Sequence, residues 1–305
     1  MTERLDVEFD AEGGVTLGAW LYLPGGPGPH AAITMAHGFA GVREHGLERF
    51  ARAFADDGFV VLLHDHRGFG SSGGEPRQDV DPWSQIADWR RAISFLESRP
   101  DVDPKRIGLW GTSYAGGHAI VLGATDRRLR CVVAQVPTIS GYEQGLRRVA
   151  PDAVAALDET FAEDDRAQFR GEPARYQAIV CADPAVPASY RAPEAIAFYS
   201  QPVPEGIWRN EVTVRSTRAA RMYEPGAWIA RVSPTPLLMW SRSTTRSPSA
   251  RWRSPRTSAR SSPSGSNSSP AATSTPTSPG SPRPAVPRAP GSARTCRESA
   301  GPLRP

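Results

Sequence analysis

The stretch IGLWGTSYAGG, residues 107–117, decides the fold of this 305-residue chain. Residues 106–110 predict a strand that runs through a Gly-rich turn into an apolar helix at 115–122. A serine at the apex of such a turn is held in a strained backbone conformation with its hydroxyl exposed, and small neighbours let strand and helix approach closely. The pattern therefore predicts a nucleophile elbow with Ser113 as the catalytic nucleophile. The alternative is an ordinary Gly-rich turn.

Strands and helices alternate on both sides of this turn. Apolar runs predict strands, and helical spacing of apolar residues predicts helices. The strands are expected at 4–9, 15–23, 31–36, 59–63 and 131–136, and the helices at 47–55 and 82–97. Such alternation favours an α/β fold, a doubly wound and mostly parallel sheet covered on both faces.

Residues 138–230 break this alternation, with several prolines, many aromatic residues and helix-like pieces at 152–161 and 193–199. We interpret them as an inserted helical cap, after which 234–239 predicts the next core strand. The cap aromatics are expected to line an apolar acyl pocket, although packing inside the cap is the alternative for any one of them. The candidates for substrate binding are Tyr142, Tyr199 and Trp208, with Tyr190 and Tyr223 in the same segment.

Two loops after neighbouring strands complete the pattern. HGFAG, residues 37–41, can aim the backbone N–H of Phe39 at an oxyanion, together with the N–H of Tyr114 after the serine. DHRGFGSS, residues 65–72, has flanking histidines that could suggest a metal cluster. Adjacent strand residues point to opposite faces, so these side chains cannot converge on one ion. A structural turn is the prediction, and no metal or cofactor is expected.

These motifs, in this order, resemble the α/β-hydrolase family. The dienelactone-hydrolase-like and Xaa-Pro dipeptidyl-peptidase-like members are more similar, and so are bacterial relatives of fungal polyketide transferases. The resemblance covers residues 5–239 and rests on HGFAG, DHRGFG, GEPRQDVDPW, WGTSYAGGH and VPTISGYEQG. It implies a doubly wound sheet, Ser113 as nucleophile, and an acid and a histidine further along the chain, in the order Ser, Asp, His.

The histidine that the resemblance implies is absent from the sequence. The six histidines are His30, His37, His45, His64, His66 and His118. The last of these sits on the helix that begins at the elbow, and it cannot turn back onto Ser113. Without an adjacent base a serine hydroxyl is a weak nucleophile, so this chain is expected to be inactive.

The C-terminal stretch differs from the rest in composition. Residues 241–305 contain 17 Ser, 12 Pro and 11 Arg, with one acidic residue, and carry a charge of +10. Residues 1–240 contain 25 basic and 31 acidic residues and carry −6, so the pI of 9.2 comes entirely from the tail. Few apolar residues remain to offset the entropy cost of ordering, and composition predicts disorder. The expected domains are a core at 1–240, with the cap insertion at 138–230, and a tail at 241–305.

A shifted reading frame accounts for both the tail and the missing residues. Met239 and Trp240 have unique codons, and a frame moved by one base from there allows V-A-L-H-D-T over residues 240–246. The same shift allows I-P-G-G-H-F-D-P-Y over 269–277, the histidine loop of the family. We predict that one base was lost near these codons and that 241–305 is an out-of-frame translation. Without the last strand and helices, the sheet edge would be exposed.

The sequence thus predicts a serine hydrolase acting on a small-molecule ester, thioester or amide, or an acyl transferase. A non-catalytic protein that binds small acyl compounds is the alternative, and nucleic-acid binding by the Arg-rich tail is disfavoured because aromatic residues are scarce there. No bilayer-spanning run and no signal peptide are visible, so a cytoplasmic protein without membrane or nucleic-acid partners is expected. The cysteines are too few and too scattered for a disulfide framework or a thiolate metal site. They are Cys131, Cys181 and Cys296.

Overall fold

Strands and helices alternate through the part of the chain that the computed structural model describes, residues 2–241. The strands are β1 (Glu3–Asp10), β2 (Thr16–Leu23), β3 (His30–Ala36), β4 (Val60–His64), β5 (Val102–Thr112), β6 (Leu129–Gln135), β7 (Tyr176–Val180), β8 (Ala188–Tyr190), β9 (Val212–Thr213) and β10 (Leu237–Trp240). The α-helices are α1 (Glu48–Asp56), α2 (Pro82–Glu97), α3 (Tyr114–Thr125), α4 (Gly141–Arg148), α5 (Val154–Phe169), α6 (Pro193–Tyr199) and α7 (Val214–Met222). Every element predicted before residue 138 is confirmed, with its ends shifted by a few residues.

The central sheet has seven strands in the order β1-β2-β4-β3-β5-β6-β10. The strands from β4 to β10 in this order run parallel, and β1 and β2 pair antiparallel at one edge. From β3 the chain steps to β4 on one side and then crosses to β5 on the other. The sheet is therefore doubly wound and mostly parallel, as predicted. Ligand sites in such sheets lie beyond the carboxyl ends of the strands where this reversal occurs.

Both faces of the sheet are buried, because alternate side chains of each strand point to opposite sides. On one face α1 packs against a cluster that includes Met35, Leu63 and Trp110. On the other face α2 and α3 cover a larger cluster that includes Leu62 and Leu109. The continuous apolar runs of the central strands are thus explained by burial on both sides.

The inserted segment, residues 138–230, lies between β6 and β10 in the chain and outside the central sheet. It contains α4 to α7, and two of these helices correspond to the predicted helical pieces. It also contains a small sheet in the order β8-β7-β9, which the sequence did not predict. These strands have two to five residues each, too few for a periodic pattern to be recognised.

Strand β10 pairs with β6 along one edge, from Leu237 opposite Val132 to Trp240 opposite Gln135. Within residues 2–241 no strand pairs with its other edge. Leu238 and Trp240 are 62% and 63% exposed there. The predictions of disorder and of an out-of-frame translation concern residues 241–305, of which 242–305 lie outside the described part of the chain.

None of the helices described between residues 2 and 241 has the length and apolarity needed to cross a bilayer.

Candidate active site

Ser113 occupies the turn between β5 and α3, with φ 57° and ψ −117°. Its N–H donates to the carbonyl of Gln135 at 2.9 Å, and its own carbonyl accepts from the N–H of Thr138 at 2.9 Å. A Cβ atom added to Gly111 would lie 2.2 Å from the carbonyl oxygen of Ala115, so glycine is required where strand and helix cross. The turn thus has the strained, exposed serine that the motif predicts, and Ala115 fits at the position where the pattern has a second glycine.

The HGFAG loop leaves the sheet directly beside this turn, because Ala36 of β3 pairs with Gly111 of β5. A Cβ atom on Gly38 would lie 3.1 Å from the Cβ of Ser113 and 3.5 Å from its Oγ. Any other residue at position 38 would crowd the serine side chain, which glycine avoids. Within residues 2–241, the N–H groups of Phe39 and Tyr114 donate to no protein acceptor. Two free amide donors therefore flank the serine side chain.

His37 fixes the start of this loop. Its Nδ1 donates to the carbonyl of Gly38 at 2.9 Å, and its Nε2 accepts from the N–H of His66 at 3.0 Å. Burial lowers the pKa of His37 to about 4, so the ring is neutral and the two hydrogen bonds define its tautomer. The N–H of Arg43, further along the loop, donates to Oδ1 of Asp65 at 2.9 Å. The DHRGFGSS turn therefore supports the HGFAG loop, and no cluster able to hold a metal occurs among the described residues.

Two aromatic side chains of the inserted segment hold the same loop from the opposite side. The hydroxyl of Tyr199 donates to the carbonyl of Phe39, and Nε1 of Trp208 donates to the carbonyl of Ala40 at 2.8 Å. Ala40 has φ 49°, a conformation that costs free energy for a residue with a side chain and needs such support. The loop is thus clamped between the core and the inserted segment.

A cavity of about 1280 Å³ opens at the serine. Ser113, Phe39 and Tyr114 line it, as does Tyr199 among the predicted substrate-binding residues. Trp208 and Tyr142 lie outside its lining, and Tyr142 is 56% exposed. Arginine side chains that the sequence analysis did not identify also line the cavity, among them those of Arg148 and Arg221. The sequence of α7 could have indicated a cationic surface, because it contains three arginines and no acidic residue.

No imidazole is positioned to activate the serine. The described residues offer no hydrogen-bond partner to Ser113 Oγ, and both ring nitrogens of His37 are engaged. His118 lies near Tyr223 Oη at 2.9 Å and Gln85 Oε1 at 3.0 Å, and burial lowers its pKa to about 3. Both rings therefore serve as neutral structural groups rather than as a base for the serine.

Comparison with known proteins identifies the family to which this fold belongs. Residues 13–178 match the model of the X-Pro dipeptidyl-peptidase (S15) family. The chain is 34% identical over 230 residues to the quorum-quenching protein AidA of Acinetobacter baumannii, which covers 75% of this chain and 74% of that protein. It is 33% identical over 244 residues to the polyketide transferase ATR5 of Stachybotrys chlorohalonatus, covering 77% and 78%. The crystal structure of the α/β hydrolase GrgF from Penicillium sp. sh18 superposes with a TM-score of 0.67 at 28% identity, covering 78% of this chain and 80% of that one.

Proposed function

The chain belongs to the X-Pro dipeptidyl-peptidase (S15) family of α/β-hydrolases, and on that basis we propose that it carries the site of a serine hydrolase or acyl transferase with Ser113 as nucleophile. The single observation that carries this proposal is the strained, exposed serine beside two unpaired backbone amides. A serine in this conformation has no packing role, whereas a hydroxyl presented to a cavity next to free N–H donors is what acyl transfer requires.

In the proposed reaction Ser113 Oγ attacks the carbonyl carbon of an ester, thioester or amide. The carbonyl oxygen becomes an oxyanion, and the N–H groups of Phe39 and Tyr114 bind it. The hydrogen bonds from His37, Tyr199 and Trp208 keep the loop that carries the first of these amides in place. The leaving group then departs with a proton, and water or a second acceptor releases the acyl group.

The step that this chain lacks is removal of the serine proton. Every histidine in the sequence precedes residue 119, and among the described residues none of them forms a hydrogen bond with Ser113 Oγ. Loss of the histidine from a Ser-His-Asp site lowers kcat by a factor on the order of 10⁶. The chain as it stands is therefore expected to bind and polarise a carbonyl substrate without turning it over at a useful rate.

The substrate is expected to be a small molecule. The name of one relative, a polyketide transferase, favours acyl compounds over long peptides. The inserted segment would act as a cap over the acyl group, since it contributes much of the cavity lining. A second candidate, a non-catalytic protein that binds acyl compounds, is favoured by the absence of an imidazole at the serine.

Chemical rescue separates the two candidates. The full chain is incubated with a small fluorophosphonate, with and without imidazole in solution, and modification of Ser113 is followed by mass spectrometry. A site that lacks only its base is expected to react slowly alone and faster with imidazole. The variant Ser113→Ala is the control and should stay unmodified in both conditions. If imidazole produces no modification at Ser113, the nucleophile assignment is wrong and the binding protein is the better description.

A further inference from the structure

The arginines of α4 and α7 divide into two groups. Arg147, Arg215 and Arg218 each contact a carboxylate, from Glu143, Asp79 and Asp165 respectively, and none of the three lines the cavity. The remaining two, Arg148 and Arg221, form no ion pair within residues 2–241, and both line the cavity. On these two helices, the arginines that lack a carboxylate partner line the cavity, whereas the arginines that have a carboxylate partner do not.

Arg221 is partly desolvated without compensation. Its Nη1 atom is enclosed by protein and has no hydrogen-bond partner among the described residues. The guanidinium lies against the backbone of α4 at Gly145, where an added Cβ would be 3.2 Å from Nη1. Removing a guanidinium from water without pairing it is unfavourable. An anion on the cavity side of the same group would offset this cost.

Arg148 lies on the facing helix. Its Cζ is 4.6 Å from the ring centroid of Tyr190, and its Nη2 donates to Gln144 Oε1 at 3.2 Å. The Tyr190 ring contacts that of Phe39 at 5.9 Å, on the loop beside Ser113. A row of aromatic side chains therefore connects the serine to this second unpaired cation.

The cavity lining as a whole is cationic. Arg49 and Arg191 also contribute, and Glu194 is the one acidic residue that residues 2–241 place in the lining. The guanidinium of Arg191 is already engaged, since it donates to the carbonyls of Asp183 and Val186 in the loop that precedes β8. Arg148 and Arg221 are thus the two cavity-lining cations on facing helices that have neither a carboxylate nor a backbone carbonyl partner among the described residues.

We propose that Arg148 and Arg221 form a subsite for an anionic group, a carboxylate or a phosphate, carried by the substrate at a distance from the reacting carbonyl. This inference rests on the proposed function, because it assumes that the reacting carbonyl lies at Ser113. It narrows the substrate class from acyl compounds in general to those with a negatively charged end. The apolar residues between the two ends would contact the connecting carbon chain.

The test compares three probes by isothermal titration calorimetry on the full-length Ser113→Ala variant. Monomethyl suberate carries a carboxylate, hexyl phosphate carries a phosphate, and dimethyl suberate is the neutral counterpart of the first. At least one anionic probe is expected to bind about tenfold more tightly than the diester, since hydrogen bonds between charged groups are stronger than those to a neutral ester. The tighter of the two anions identifies which group the subsite accepts.

Matched variants assign the effect to these two residues. Arg148→Gln with Arg221→Gln should abolish the preference for the anion, whereas Arg147→Gln with Arg218→Gln removes the same charge from the same helices and should leave it intact. Equal binding of all three probes, or equal loss in both double variants, overturns the subsite. Because the measurement needs no activated serine, an anion preference in a chain that imidazole cannot rescue would overturn only the proposed function. Rescue without an anion preference would overturn only the subsite.

Discussion

Ser113 carries a backbone strain that can be measured separately from its chemistry. At φ 57° and ψ −117° a side chain costs about 1–3 kcal/mol, whereas glycine adopts this region readily. Replacing Ser113 with Gly should therefore stabilise the fold by about 1 kcal/mol relative to Ser113→Ala, after the larger entropy of an unfolded glycine is deducted. Thermal melts of the two variants are expected to differ by about 2–4 °C. Equal melting temperatures would show that the turn stores no strain.

Tyr199 contacts the loop that carries the Phe39 amide as well as lining the cavity. Its hydroxyl satisfies the carbonyl of Phe39 inside the protein, so Tyr199→Phe leaves that oxygen unpaired and should cost about 1–3 kcal/mol of stability. Hydrogen exchange of the amides at residues 38–42 should become faster. Tyr142→Phe, at an exposed position that does not contact the loop, is the control. Unchanged exchange in Tyr199→Phe would mean that the clamp does not hold the loop.

At the scale of elements, the ends of β3 and β4 and the helix α3 bring four buried histidines together. The ring centroids of His37 and His66 are 4.7 Å apart, those of His64 and His66 5.2 Å, and those of His66 and His118 5.6 Å. Burial lowers the pKa of His37 to about 4 and of His64 and His118 to about 3, and it lowers the pKa of His66 well below its usual value. The folded protein therefore holds all four rings neutral.

This cluster makes the fold sensitive to acid. In the unfolded chain the rings take up protons below about pH 6.5, whereas the folded rings do not until about pH 3–4. The neutral rings therefore do not affect stability through proton binding above pH 6.5, whereas below it the unfolded state gains protons and stability falls by up to about 1.4 kcal/mol per pH unit for each histidine. Urea unfolding between pH 7.5 and 5 should show this slope, and His64→Phe should reduce it by the share of one ring. A slope unchanged in that variant would contradict the assignment.

The same elements explain how far the sequence could predict the structure. Each core strand, each of the helices α1 to α3 and the elbow is predicted by a sequence pattern that spans fewer than twenty residues. All of these elements form. The sequence does not predict the strands β7, β8 and β9, because a strand of two to five residues is too short to show an alternating pattern. The roles of Tyr199 and Arg221 depend on partners far away in the chain, Phe39 and Gly145. A composition or spacing rule cannot find such pairs, since only tertiary packing brings them together.

For the whole molecule, the weak point is the free edge of the sheet at β10. Leu238, Met239 and Trp240 are exposed there, next to a row of backbone groups with no partner strand among the described residues. Exposed apolar edges promote pairing with other chains, so we expect the protein to aggregate as its concentration rises. A chain that stays monodisperse in light scattering at high concentration would contradict this expectation.

Restoring the reading frame tests the activation of Ser113 and the exposure of strand β10 in one experiment. Inserting one base at the codon of Met239 or Trp240 would replace the +10 tail with a sequence that allows an acid and a histidine at the spacing of the family. The restored chain is expected to be modified at Ser113 by the fluorophosphonate without added imidazole, at a rate higher by orders of magnitude, because an adjacent base activates the hydroxyl. Light scattering should show fewer aggregates, because the added strand and helices would cover β10. A restored chain that still needs imidazole, or an original gene whose frame is intact, would show that the tail is native and that the family's base was never present in this protein.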